Sequence, residues 1–256
     1  MQSIPLAEGR PEEPQQSLPR AGRASGWLAV MALVYLVATF AYFICFGIYT
    51  AVTQPGLPQG EVEALITQHG QSLDGLAGMY MVQFLFLMPL ILLISHFSQQ
   101  SWRETLALKP VALRTIGFWM AIWALYQAFA IALHLWVDIP EDPFVQMMTG
   151  SRHLLVSLVV VLLAPVLEEL VFRGYLFKAW RHSWLGFSGT LLLTSLLFLL
   201  LHVGQYNPLV LGQLFAFALI LGFAREKTGS LITPWVLHLA NNLFATVMIT
   251  YLGLGA

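Results

Sequence analysis

The chain has 256 residues, of which 58% are hydrophobic and only 10% charged, with a formal net charge of −1. A soluble domain carries about 25% charged residues, so a soluble fold is excluded, and the lack of surplus Lys and Arg excludes a nucleic-acid partner, whose phosphates demand it. The single cysteine, Cys45, allows neither an intramolecular disulfide nor a cysteine-based metal cage, and it lies in an apolar run as a lipid- or core-facing side chain.

Residues 1–25 are polar, with Pro5, Pro11, Pro14 and Pro19 set among Gln, Ser, Glu and Arg, the composition of a disordered tail. Residues 26–256 read as one transmembrane domain. Apolar stretches long enough to cross a hydrocarbon core of about 30 Å fall at 27–52, 76–97, 113–137, 153–178, 184–203, 208–224 and 230–252. The expected fold is therefore all-α, a polytopic transmembrane helical bundle of about seven spans. Seven is the favoured count and eight the alternative, and the short turns near Ser183, Gln205 and Lys227 leave room for re-entrant or broken helices in place of plain crossings. The first stretch is too long for the core of a signal peptide and is expected to stay as an anchor.

Cytoplasmic loops collect Lys and Arg. With the amino terminus inside, alternation puts Arg10, Arg20, Arg23, Arg103, Lys109, Arg114, Lys178, Arg181, Arg225 and Lys227 on the cytoplasmic side, and Arg152 alone in an opposite loop. Those opposite loops carry Glu61, Glu63, Asp74, Asp138, Glu141 and Asp142 instead. The expectation is a multi-pass protein of the plasma (inner) membrane with a cytoplasmic amino terminus and an outside carboxyl terminus.

The fourth stretch, LLAPVLEELVFRGYLF, holds Glu168, Glu169 and Arg173. A charge at mid-membrane costs about 2.5–3.5 kcal/mol on insertion scales, so three such groups need a reason. Glu169 and Arg173 are one helical turn apart and are expected to form a structural ion pair, whereas Glu168, rotated by about 100°, is the freer carboxylate. Pro165 removes a backbone donor and frees a carbonyl that protein or water must satisfy. His202 follows Phe198 on one helical face, and His238 precedes Asn242 on another. One carboxylate and two imidazoles supply a base, a partner that polarises water and donors for an oxyanion, enough for amide hydrolysis. Asn242 adds an uncharged donor, or Asn241 does so if the helix is rotated. His69, His96, His134, His153 and His182 lie in loops or at span ends, where interfacial placement accounts for them.

Taken together, the E-E-x-x-x-R of Glu168-Glu169-Leu-Val-Phe-Arg173, the F-x-x-x-H of Phe198 to His202 and the H-x-x-x-N of His238 to Asn242 resemble the CAAX protease and bacteriocin-processing family of intramembrane endopeptidases, also called the abortive-infection family. The resemblance covers residues 150–245. It implies hydrolysis of peptide bonds in membrane-associated peptide or protein substrates, of CAAX type or in bacteriocin and peptide maturation, with the lipid bilayer as the other partner. By residue, it implies that Glu168 with His202 activates water and that His238 with Asn242 holds the oxyanion. Family members have been described as metalloproteases, and Glu168, His202 and His238 match the ligand count of a catalytic zinc. No cofactor is assigned, and a metal-free, glutamate-based mechanism is the favoured reading over Zn2+. The rival class is a non-catalytic scaffold or a proton-coupled carrier using the same polar core. A carrier would show interrupted spans in both halves, but the polar residues are confined to the second half.

Depth counting conflicts with these motifs. Glu168 and His238 fall about 12–15 Å from the inner side at about 1.5 Å per residue, whereas His202 falls near the outer end of its span. For the three to meet, either segment 175–184 runs along the interface and the fifth span starts deeper, or the topology changes after residue 174.

Overall fold

A computed structural model describes residues 21–98, 101–137, 140 and 142–254. Ten helical segments follow in order, numbered α1 to α10. They are α1 (Ala21–Thr53), α2 (Gln59–Gly70), α3 (Leu73–His96), α4 (Trp102–Thr105), α5 (Leu113–Trp136) and α6 (Pro143–Met148). Then come α7 (Leu154–Arg181), α8 (Gly186–Leu200), α9 (Pro208–Thr228) and α10 (Ile232–Tyr251). Six are long and apolar enough to cross a membrane, and α8 is a shorter apolar helix of 15 residues. The roughly seven-span helical bundle expected from composition is thus observed, with no strand among the described residues. Most of the polar tail expected at 1–25 lies outside the described residues; its last part, from Ala21 on, already belongs to α1.

Local chemistry sets the helix ends. Asn207 caps α9, its Oδ1 accepting from the Leu209 and Val210 amides at 2.9 and 3.1 Å, and Pro208 takes the first position, where no donor is needed. Gly229 closes the same helix in the left-handed region, φ 63°, which a side chain would resist. The short α2, rich in Glu and Gln, was not foreseen as a helix; it half-buries Val62, Leu65, Ile66 and His69 and lies over the second half of α1, where the Tyr42 hydroxyl and His69 Nε2 pair at 2.8 Å.

The centre of the bundle is α7, where Leu170, Phe172, Tyr175 and Leu176 pack with Ile91 of α3, Phe198 of α8 and Ala218 of α9. The peripheral helices α1 and α5 expose rows of large apolar side chains, among them Leu36, Phe40 and Ile44, and Phe118, Leu125 and Phe129. In water such rows would be a liability; here they are the lipid-facing surface of a membrane protein.

Candidate active site

Two π-helical turns interrupt α7, at Val159–Leu163 and Leu170–Leu176, on either side of the Glu168-Glu169 pair. The first runs directly into Pro165. The Ala164 amide donates five residues back, to the Val159 carbonyl. In that register the Val160 carbonyl would take its donor from residue 165, which is a proline and has none. Asn242 fills the gap, its Nδ2 donating to the Val160 oxygen at 2.9 Å. The carbonyl that Pro165 was expected to free is therefore found, and its partner is a residue of the third motif.

The second motif carboxylate, Glu169, is fully buried. Its Oε1 accepts from Arg173 Nη1 at 3.0 Å and from His238 Nδ1 at 2.9 Å. The expected Glu169–Arg173 ion pair is thus present, but it is one arm of a larger network. Arg173 also donates through Nη2 to the Ala218 carbonyl at 3.1 Å, and its guanidinium lies 4.8 Å above the Phe198 ring. Arg225 of α9 donates from Nε to the Arg173 carbonyl at 2.8 Å.

Glu168 has a side chain 15% exposed and borders a cavity of about 450 Å³. His202, His238, Asn241 and Asn242 line the same cavity, with Phe198 between the two histidine-bearing segments, its ring 4.8 Å from that of His202 and 5.6 Å from that of His238. Because a carboxylate only accepts, Nδ1 of His238 carries a hydrogen toward Glu169, and Nε2 is left facing Glu168 Oε2 at 3.7 Å, the distance of a bridged rather than a direct contact. The same reasoning fixes His202. Its Nδ1 lies 2.9 Å from the Phe198 carbonyl and donates to it, so Nε2 is the ring nitrogen left for the cavity. His202 shares the cavity with Glu168 without an ion-pair contact to it.

The depth conflict resolves through helix length. Counted from the turn at 182–185, Glu168 lies about 20 Å up α7, and the end of the short α8 lies about 22 Å up, at about 1.5 Å per residue. Residues 175–181 are the last turns of α7 itself, which continues through its two π turns to Arg181, rather than a separate segment. His238 reaches the same level because α10 starts inside the protein. Ser230, Leu231 and Thr233 are buried, with Ser230 Oγ donating to the Lys109 carbonyl at 2.6 Å and the Leu231 amide to that of Ala107 at 2.9 Å.

Several cavity residues were not singled out from the sequence. Tyr206 stacks on His202 with ring centres 6.1 Å apart, four residues further along the same connection. Gln213 accepts at its backbone from the Tyr126 hydroxyl at 3.1 Å, and its side chain meets His134 Nε2 at 3.2 Å. His134, assigned to the interface, therefore sits at the cavity mouth. A polar Gln213 in the otherwise apolar stretch 208–224 of α9 was the available signal. His153 instead pairs with Asp74 at 3.0 Å and caps the start of α7.

Among the described residues no three His, Cys, Asp or Glu side chains converge closely enough to hold a metal ion. Glu168, His202 and His238 share a cavity but are not gathered as a zinc-ligand set.

Fold and site together define a polytopic membrane protein with a carboxylate–imidazole centre buried among its helices. Residues 150–244 match the family model described as Type II CAAX prenyl endopeptidase Rce1-like. The chain is also 31% identical over 148 residues to an uncharacterized 24.3 kDa protein of Escherichia coli, an alignment covering 54% of this chain and 68% of that protein. No solved structure matches. The chain belongs to the Rce1-like family, the CAAX protease and bacteriocin-processing group that its three motifs resembled.

Proposed function

We propose that this chain is an intramembrane endopeptidase that hydrolyses peptide bonds in membrane-associated substrates, of CAAX type or in peptide maturation. The observation that carries the reading is the gathering of Glu168 of α7, His202 of the turn after α8 and His238 of α10 around one cavity backed by a buried ion-pair network.

In this mechanism Glu168 takes a proton from water as the water oxygen bonds to the scissile carbonyl carbon, and the free Nε2 of His202 orients that water. The carbonyl oxygen becomes an oxyanion. His238, held by Glu169 through Nδ1–H, presents Nε2–H to that oxygen when it is an imidazolium, and the adjacent Glu169 carboxylate stabilises that charge. Asn242 spends one amide hydrogen on the Val160 carbonyl and offers the other to the oxyanion. Collapse of the tetrahedral intermediate breaks the C–N bond, and the departing amine takes the proton from Glu168. Glu169 and Arg173 position His238 and do not touch the substrate.

The reading is metal-free, and its support is the geometry of the donors. Detergent-purified protein is expected to cut a membrane-peptide substrate at the same rate with and without a strong chelator. Activity that vanishes with the chelator and returns only with zinc overturns the metal-free mechanism.

A further inference from the structure

We infer that the segment ahead of α7 positions His202: Asp142 and Phe144, both outside the matched residues 150–244, hold the turn that carries the imidazole. Glu168 and His238 sit on α7 and α10, whereas His202 lies past Leu200, the last residue of α8, in an irregular connection that reaches α9 at Pro208. A side chain on such a connection is placed less firmly than one on a helix, and a catalytic group has to be held to within about 0.5 Å.

The contacts within the connection fix the ring only relative to α8 and to the turn itself. Nδ1 donates to the Phe198 carbonyl at 2.9 Å, and the Tyr206 ring lies 26° from parallel to the imidazole. The Gln205 amide closes the turn on the His202 carbonyl at 3.1 Å, with Gly204 in the left-handed region at φ 86°. Anchorage to the rest of the protein comes from the segment ahead of α7. The Asn207 amide donates to Asp142 Oδ1 at 2.6 Å, and the Tyr206 ring meets Phe144 edge-on at 5.7 Å. Asp142 stands at the N-cap of α6, where an aspartate ordinarily accepts from the first amides of its own helix. Here it makes no such bond and spends Oδ1 on Asn207, 65 residues away. The support is itself fixed. Met148 of α6 is buried with Ala77, Val156 and Val159, and the Gly150 and Arg152 amides donate to the Ile249 and Thr250 carbonyls at 3.0 and 3.3 Å. The path from scaffold to imidazole therefore runs from α10 through α6 to Asp142 and Phe144, then through Asn207 and Tyr206 to His202. Asp142 and Phe144 also border the cavity, so contact with substrate is the competing assignment.

The inference rests on His202 serving the proposed hydrolysis, and its test includes a readout that needs no cleavage. Asp142→Asn keeps an oxygen for the Asn207 amide and Asp142→Ala does not; Tyr206→Phe keeps the stacked ring and Tyr206→Leu does not. The full-length variants are assayed in detergent on a membrane-peptide substrate, well below the melting temperature of each. Asp142→Ala and Tyr206→Leu are expected to lower kcat about 10- to 10²-fold with KM near native, the cost of a misplaced catalytic group. Asp142→Asn and Tyr206→Phe are expected to keep most of the native rate. A raised KM with kcat unchanged assigns these groups to substrate binding and overturns the inference. A lowered melting temperature with kcat per folded molecule unchanged overturns it too, as does Asp142→Asn as slow as Asp142→Ala. In histidine-labelled protein, the nuclear magnetic resonance signal of the His202 imidazole is identified by its loss in His202→Ala. That signal is expected to shift in Asp142→Ala and to hold its native position in Asp142→Asn; a signal unmoved in Asp142→Ala overturns the inference. If the native chain cuts nothing while the signal moves as expected, the positioning of His202 stands and the protease reading falls.

Discussion

The two adjacent carboxylates are chemically identical and perform different work because of what surrounds them. Glu169 is fully buried and shared between Arg173 and His238, whereas Glu168 keeps an edge on the cavity. Removing one partner of a buried ion pair strands the other charge, at a cost of about 3–5 kcal/mol. Glu169→Gln is therefore expected to lower the melting temperature of the detergent-solubilised protein sharply. Glu168→Gln should leave it near the native value while slowing cleavage about 10²–10⁴-fold, the typical contribution of a general base. Equal melting behaviour for the two variants would contradict this division. The Glu169–Arg173 pair was legible in the sequence because its partners are one helical turn apart. The His238–Glu169 bond was not, because the two residues are 69 positions apart and only the packing of α10 against α7 joins them.

At the scale of the element, Pro165 and Asn242 meet at one backbone group, the Val160 carbonyl, which the first lacks the hydrogen to satisfy and the second reaches. Asn242→Ala strands the buried Val160 carbonyl, at a cost of about 1–3 kcal/mol. Pro165→Ala restores a backbone donor in the same register, so the cost of Asn242→Ala is expected to shrink in the Pro165→Ala background. A double-mutant cycle on thermal stability measures this coupling, and strictly additive effects would contradict it. The corner that covers the start of α10 makes a second prediction. Ser101 caps α4, donating from its hydroxyl to Glu104 Oε2 at 2.8 Å and from its amide at 3.2 Å, and these bonds hold the Glu104 carboxyl below its usual range. A carboxyl lowered by folding contributes stability that is present above its unfolded value and is lost as pH falls through its folded value. Ser101→Ala should flatten the acid limb of the melting-temperature profile, and an unchanged limb would contradict the cap. The proline's orphaned carbonyl was readable from the sequence. Its partner was not, because asparagine one turn after a histidine serves a site or a scaffold equally well.

For the whole molecule, composition alone defined an all-helical membrane bundle, and three short motifs located its centre. What spacing could not supply was depth. Counting residues from expected span ends put His202 apart from Glu168, because it assumed that every apolar stretch crosses the full membrane. The short α8 and the sunken start of α10 break that assumption and bring the three motifs to one level. The cavity mouth was invisible for a related reason, since it is assembled from the ends of four segments that share no sequence pattern. The charge asymmetry predicts that a reporter active only outside the cytoplasm is active when fused at Leu57 or after Ala256. Activity of a cytoplasm-only reporter at either position would contradict the assigned orientation.

The most direct test of the central claim is cleavage of a membrane-peptide library by the purified full-length chain, set beside Glu168→Gln and His202→Ala variants whose melting temperatures match the native protein. The account predicts products from the native chain and near-complete loss in both variants. Undiminished cleavage by either variant would contradict the assigned chemistry at Glu168 and His202.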